Sequence, residues 1–255
     1  MSASMTPPSF LLEGDVLQIG FHGVGKAPYP EDIVPAAVLR ALAQHAHLDL
    51  RTEGVFWGDY CYFAGVTGEA FRFLDLLGLS GGNPASPLVE RYGQMSVAGM
   101  YEHAFAAAGL VAELHLKPQL PAEAALRRQL VASLHDRKCP VIGIGVFGPP
   151  EPFLITGYAE DGEVLLGWSH FQADRKEDPD VSFEASGQFR LRNWYRRIDG
   201  VAVVTGAREP LAARRVYRGA LERGIRALQT TAAATGDRQA ALGAAAMEKW
   251  AAYLE

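Results

Sequence analysis

Cysteine is scarce in this chain: Cys61 and Cys139 are the only two among 255 residues. Two are too few for a disulfide framework and suit thiols kept reduced. Long apolar runs are missing as well. Nothing approaches the roughly 18 consecutive apolar residues of a membrane-spanning helix. The opening MSASMTPPSF has neither the positive region nor the apolar stretch of a secretory signal. These absences predict a cytoplasmic location and no membrane partner. Positive charge is also in short supply, with 24 Lys and Arg against 29 Asp and Glu for a net charge of -5. The arginines are scattered except near the C-terminus, so there is no basic footprint for nucleic acid. Internal repeats are absent, and the only biased tracts are Ala-rich.

What is present is a 49% hydrophobic composition, enough to bury a substantial core. The expected organisation is one domain over residues 1–206 with a helical extension, 207–255, packed on it. DVLQIG (15–20) reads as an opening strand. IVPAAVLRALAQHAHL then repeats apolar residues at helical spacing, with acidic residues at its start to suit the helix dipole. EAFRFLDLL is expected to be helical, with Gly65 and Gly68 punctuating the stretch before it. MSVAGMYEHAFAAAGL forms a helix that stops at Gly109, followed by the strand VAELHL. PAEAALRRQLVASLHDRK is amphipathic, with Pro121 placed for its first turn. CPVIGIGVF, PFLITGYA and EVLLGW read as strands, the last two joined across an Asp161-Gly162 turn, and GVAVVTG as a further strand. Two C-terminal helices, PLAARRVYRGALERGIRALQTTAAA and DRQAALGAAAMEKWAAYLE, close the chain. Helices, then hairpin-forming strands, then helices give an α+β fold: helices packed on a mainly antiparallel sheet, with the C-terminal helices covering the domain.

Several residues are of types that carry chemistry. GFHGVGKA (20–27) fits the G-x-x-x-x-G-K spacing of a phosphate loop, but Ala27 stands where a hydroxyl must bind Mg²⁺. Pro28 and Pro30 also oppose an immediate helix, so a plain Gly-rich loop is the reading. His45 and His47 are two apart and diverge on a helix; they read as solvent-facing, and no metal site is assigned. Cys61, ahead of a helix, is a nucleophile candidate if a base such as His170 comes within reach. Its aromatic neighbours in DYCYFAGVTG instead favour a small buried hydrophobe. Cys139, at the start of an apolar strand, reads as structural. Glu69 and Arg72 are three apart and either pair on one helical face or form a pocket for a carboxylate or planar amide. Glu151 precedes a buried strand, where a carboxylate needs a partner. Trp168 and His170 stand at a strand end.

The order of an early helix, a helical middle, then CPVIGIGVF and PFLITGYAEDGEVLLGW resembles papain-like bacterial domains. LITGYAEDGEVLL is the most specific part of the likeness. It is similar to the bacteriocin-processing cysteine peptidases and to the N-terminal domain of the butirosin-biosynthesis acyltransferase H family. GVTGEAFRF and LGAAAMEKWAAYL extend the resemblance to uncharacterised bacterial relatives of the butirosin group. It implies a papain-like fold in which a Cys caps the first central helix and a His stands just before a strand ending in a T-G-Y-like turn. This sequence departs from that pattern. Counting back from Gly157, Glu151 occupies the place of the His, between Pro150 and Pro152. The helix from Ile33 to His47 has no Cys, and Val55 stands six residues before Cys61 where an oxyanion donor is expected. The resemblance therefore implies a catalytically degenerate domain that binds a small molecule or peptide, with Glu69, Arg72, Glu151, Trp168 and His170 lining the cleft. The alternative is a thiol-dependent acyltransferase or amide hydrolase using Cys61, with His170 as base. No cofactor is implied, and the small residues of the C-terminal helices leave room for a homodimer.

Overall fold

The structure is a computed structural model that describes residues 10–13, 16–19, 34–46, 50, 58–68, 70, 74–75, 97–147, 151–172, 177–229, 232–235 and 238–252. It is α+β. The main sheet places β4 (Leu110–Leu116), β10 (Gly200–Ala207), β5 (Val141–Ile144), β6 (Pro152–Ala159), β7 (Val164–Trp168), β9 (Phe189–Leu191) and β8 (Val181–Phe183) side by side in that order. The pairings along it are antiparallel. On the edge of β6 that β5 serves over residues 152–155, β2 (Val16–Ile19) takes over at Gly157 and Tyr158, and β1 (Phe10–Glu13) pairs with β2. A second, smaller sheet joins β11 (Ala232–Thr235), β12 (Arg238–Leu242) and β3 (Leu74–Asp75).

The central strands are apolar on both faces, and that decides the layering. Alternate residues of a strand point to opposite faces, and in β5 and β7 every residue is buried. Ile142, Ile144, Leu154 and Trp168 pack with α1 (Val34–His45), α2 (Gly58–Thr67) and α3 (Val97–Ala108). On the other face Val141, Phe153, Ile155 and Leu165 pack with Leu126, Leu130 and Leu134 of α4 (Glu123–His135). Phe147, Phe153 and Phe189 fill that second core, their centroids 4.5 to 5.7 Å apart. α1 is buried over most of its surface, from Val34 to Ala43, with Arg40 and Gln44 forming a narrow polar stripe in which Arg40 donates to Gln44 at 3.2 Å.

Specific polar contacts tie this interior together. Trp194, in the short helix α5 (Trp194–Arg197), donates its indole N–H to the Gly162 carbonyl at 2.9 Å, tying α5 to the β6–β7 turn. The Gln188 amide donates to the Thr156 hydroxyl at 3.1 Å, both buried. On β7, paired with β6, a Cβ on Gly167 would lie 1.9 Å from the Leu154 carbonyl oxygen, so only glycine fits.

Several expectations require correction. EAFRFLDLL is not a continuous helix: Leu74 and Asp75 form β3, while 69 and 71–73 lie outside the described residues. α2 runs through Gly65 and ends at Thr67, and Gly68, with φ +84°, follows it. Pro121 precedes the α4 cap residue Ala122 instead of entering the first turn. The chain after Gln229 is not two uninterrupted helices. α6 (Ala213–Gln229) gives way to β11 and β12 before α7 (Gly243–Ala252). Thr235 pairs with Arg238, leaving only Gly236-Asp237 between the strands, a hairpin composition that outweighs the helix propensity of the alanines. α6 packs chiefly on α2, so the sheet is not what it covers. β1, β8 and β9 were not expected from the sequence.

Replacing Gly167 by Ala is expected to cost about 3 kcal/mol in urea unfolding, because the new methyl meets backbone that cannot yield. Gly206→Ala, where a Cβ has nothing within 4 Å, is expected to stay within about 0.5 kcal/mol of wild type. Equal losses from the two would contradict the β6–β7 register.

Candidate functional site

The strand end singled out by sequence is formed by antiparallel pairing. Trp168, the last residue of β7, lies opposite Leu154, so it shares one end of the hairpin with Glu151, which directly precedes β6. Both are buried, Glu151 at 2% exposure and Trp168 at 7%. The Glu151 carbonyl accepts the Gly145 amide at 3.1 Å. His170 follows in a turn stitched by Ser169 N–H to Gln172 Oε1 and Phe171 N–H to Ser169 Oγ, at 3.0 and 3.2 Å. Its ring stands edge-on to Phe171 at 5.0 Å. Glu151, Trp168 and His170 are thus brought to one end, whereas Glu69 and Arg72 lie outside the described residues.

Cys61 is exposed, in the first turn of α2, which corrects the expectation of a small buried hydrophobe. Tyr60, Phe63, Ala64 and Thr67 take the inward side of that helix, so the thiol is turned away from the core to which Trp168 belongs. Cys139 is partly buried, and burial pushes its thiol up to about 11, with Arg137 opposing weakly. Its backbone is clamped to Ser133, the Ser133 carbonyl accepting its N–H at 2.9 Å and the Ser133 hydroxyl donating to its carbonyl at 3.1 Å. His45 is part-buried rather than solvent-facing, and its Nε2 donates to the Lys138 carbonyl at 2.5 Å. His47 and the phosphate-loop lookalike at 20–27 lie outside the described residues, among which no cluster of metal-ligating side chains occurs.

A pocket that the sequence did not disclose lies on the outer side of α2. Its volume is about 450 Å³, and Leu50, Tyr62, Ala107, Leu211, Tyr217 and Glu209 line it. The connector from β10 to α6 forms one wall, held against the end of α3 by Arg208 N–H to Gly109 O at 2.8 Å and Leu211 N–H to Ala106 O at 3.3 Å. Gly109 makes that approach workable. Its φ is +73°, and a Cβ there would lie 2.8 Å from both the Arg208 carbonyl oxygen and Pro210 Cγ. Tyr62 donates to the Ala107 carbonyl at 3.3 Å. Burial, then Tyr217, pushes its phenol up to about 12, so it stays protonated at neutral pH. Two tyrosines 155 positions apart leave no local motif; only the Pro-bearing entry to α6, EPLAA, marks the spot in sequence.

Seating α6 requires contacts of its own. Val216 and Ala220 face inward, and Arg223 Nη2 donates to the Val66 carbonyl in the last turn of α2, where a cation meets the negative end of the helix dipole. Facing it on α3, His103 is held below its ordinary pKa by burial first, then by Arg223 and Arg215.

With iodoacetamide at pH 8, Cys61 is expected to react much faster than Cys139, as peptide mass spectrometry of the folded protein will show; comparable rates would contradict their placement. Because the folded-state pKa of His103 lies below its unfolded value near 6.5, the unfolded chain takes up that proton first. Stability therefore falls as pH drops through about 6.5 and levels off below the folded value. His103→Gln is expected to flatten the slope of unfolding free energy in that window, and an unchanged slope would remove His103 from the linkage.

No family model, no curated protein and no solved structure matches the chain.

Proposed function

We propose that this protein is a papain-like domain of the butirosin-related kind that binds a small molecule or peptide without thiol chemistry, and that its ligand enters the pocket between α2 and the start of α6. The observation that carries this is the pocket itself. Its volume of about 450 Å³ is that of a small-ligand site, and a mainly apolar wall with a few polar groups is the usual recognition chemistry. Tyr62 and Tyr217 offer rings on which a planar or aliphatic group can lie, and Glu209 offers one carboxylate. Glu151 stands where the resemblance calls for a general base. Glu151 and Trp168 are buried, at 2% and 7% exposure.

The second reading, acyl transfer or amide hydrolysis through Cys61 with His170 as base, is favoured by one observation. The thiol is exposed in the first turn of a helix, a setting that many nucleophilic cysteines use. The two readings part on substitution. With the apolar fluorophore anilinonaphthalene sulfonate as probe, Tyr217→Ala is expected to weaken binding about tenfold, roughly 1.4 kcal/mol, while Cys61→Ser leaves it unchanged. Turnover of acyl or amide substrates that Cys61→Ser abolishes would instead establish the thiol enzyme.

A further inference from the structure

α6 is amphipathic in an unusual way, since its apolar arc is wider than the surface that covers it. Val216 and Ala220 pack inward. Beside them Tyr217, Leu221, Ile225 and Leu228 recur at intervals of four, four and three residues, on one face of the helix. All four are exposed, Leu221 at 61% and Ile225 at 54%. At 1.5 Å per residue the row is about 16 Å long. Contiguous exposed apolar surface of this kind marks an interaction site. The row also begins at the pocket, because Tyr217 belongs to both.

Charge and shape select the occupant. Of the five arginines of α6, Arg223 is turned inward to the Val66 carbonyl, while Arg214 and Arg218 stand beside the exposed row, on a chain whose net charge is -5. Arg214 and Arg218 lie three and seven residues before members of the row and so border it. Arg218 is ion-paired with Glu222 at 2.9 Å. A second copy packed row on row would set Arg214 and Arg218 against their own counterparts, with no acidic residue added to meet them beyond the already paired Glu222. A lipid surface would meet the row but leave the concave end unfilled. A helix with a protruding anchor side chain fills both. We propose that the face of α6 formed by Tyr217, Leu221, Ile225 and Leu228 docks an acidic amphipathic helix of a partner protein, which inserts one large apolar side chain into the pocket beside Tyr62. This rests on the binding role of that pocket and names the class of its ligand. It is the helix-in-groove mode, with apolar anchors for affinity and charge for orientation.

The test uses the full chain and a labelled 18-residue peptide with Leu or Phe at positions i, i+4, i+8 and i+11 and Glu or Asp on its other face. A scrambled peptide of the same composition serves as control. Saturable binding to the ordered peptide is expected, weakened at least tenfold by Leu221→Glu or Ile225→Glu. Arg214→Glu combined with Arg218→Glu is expected to weaken it about fivefold at low salt. Both apolar sites are exposed, so the variants retain the fold, and neither lines the pocket, so fluorophore binding should persist in them. Equal affinity for ordered and scrambled peptides, or no peptide binding, overturns the docking proposal. So does sedimentation with phosphatidylserine vesicles in place of peptide binding, or a dimer in light scattering that Leu221→Glu dissociates. If the fluorophore still binds in those cases, the pocket reading survives; if it too fails, both fall.

Discussion

Burial of β5, β6 and β7 on both faces is the constraint from which the rest of the structure follows. An antiparallel sheet commonly leaves one face to water and alternates polar with apolar residues. Here VIGI, PFLIT and VLLGW offer almost nothing polar to either side. Helices must therefore cover both faces, α1 to α3 on one and α4 on the other. Close packing then demands glycine at positions 143 and 167, where a Cβ would collide with the Phe153 ring or the Leu154 backbone. Buried polar side chains bond locally or across the sheet: Thr67 donates to the Phe63 carbonyl of its own helix, and Gln188, just before β9, donates to Thr156 of β6.

The layering also locates the surfaces open to function. α2 has one side in the core and the other turned outward. The outward side carries Cys61 and contributes Tyr62 to the pocket. α6 docks on that same helix, with its arginine at the C-terminal end of α2 and its first turn walling the pocket. The concave and apolar surfaces thus collect where a late helix packs on an early one. At the hairpin end Glu151 and Trp168 are buried instead.

The legible parts of this fold were those written locally. β6 and β7 showed as apolar runs around Asp161-Gly162, α3 stopped at Gly109 as its sequence demanded, and the α+β class followed from element order. Less was legible where local propensity and tertiary pairing disagree. The alanines of 232–235 and 238–242 favour helix, yet their pairing with each other and with Leu74–Asp75 makes strands of them. Among the site residues, the placing of Glu151 and Trp168 at one end of the hairpin followed from the β6–β7 pairing. The exposure of Cys61 did not, because aromatic neighbours in sequence, Tyr60 and Tyr62, lie on other sides of the helix from the thiol. The pocket was invisible because its two tyrosines meet only through the packing of α6 on α2.

The most direct test is to map a bound ligand by amide chemical shifts, using ¹⁵N-labelled protein and a library of small aromatic fragments. Shifts clustered at Leu50, Tyr62, Ala107, Leu211 and Tyr217 are the predicted result and would place binding between α2 and α6. Shifts clustered instead at Cys61, Trp168 and His170, with the Tyr217 region unmoved, would contradict it and return function to the thiol and the hairpin end.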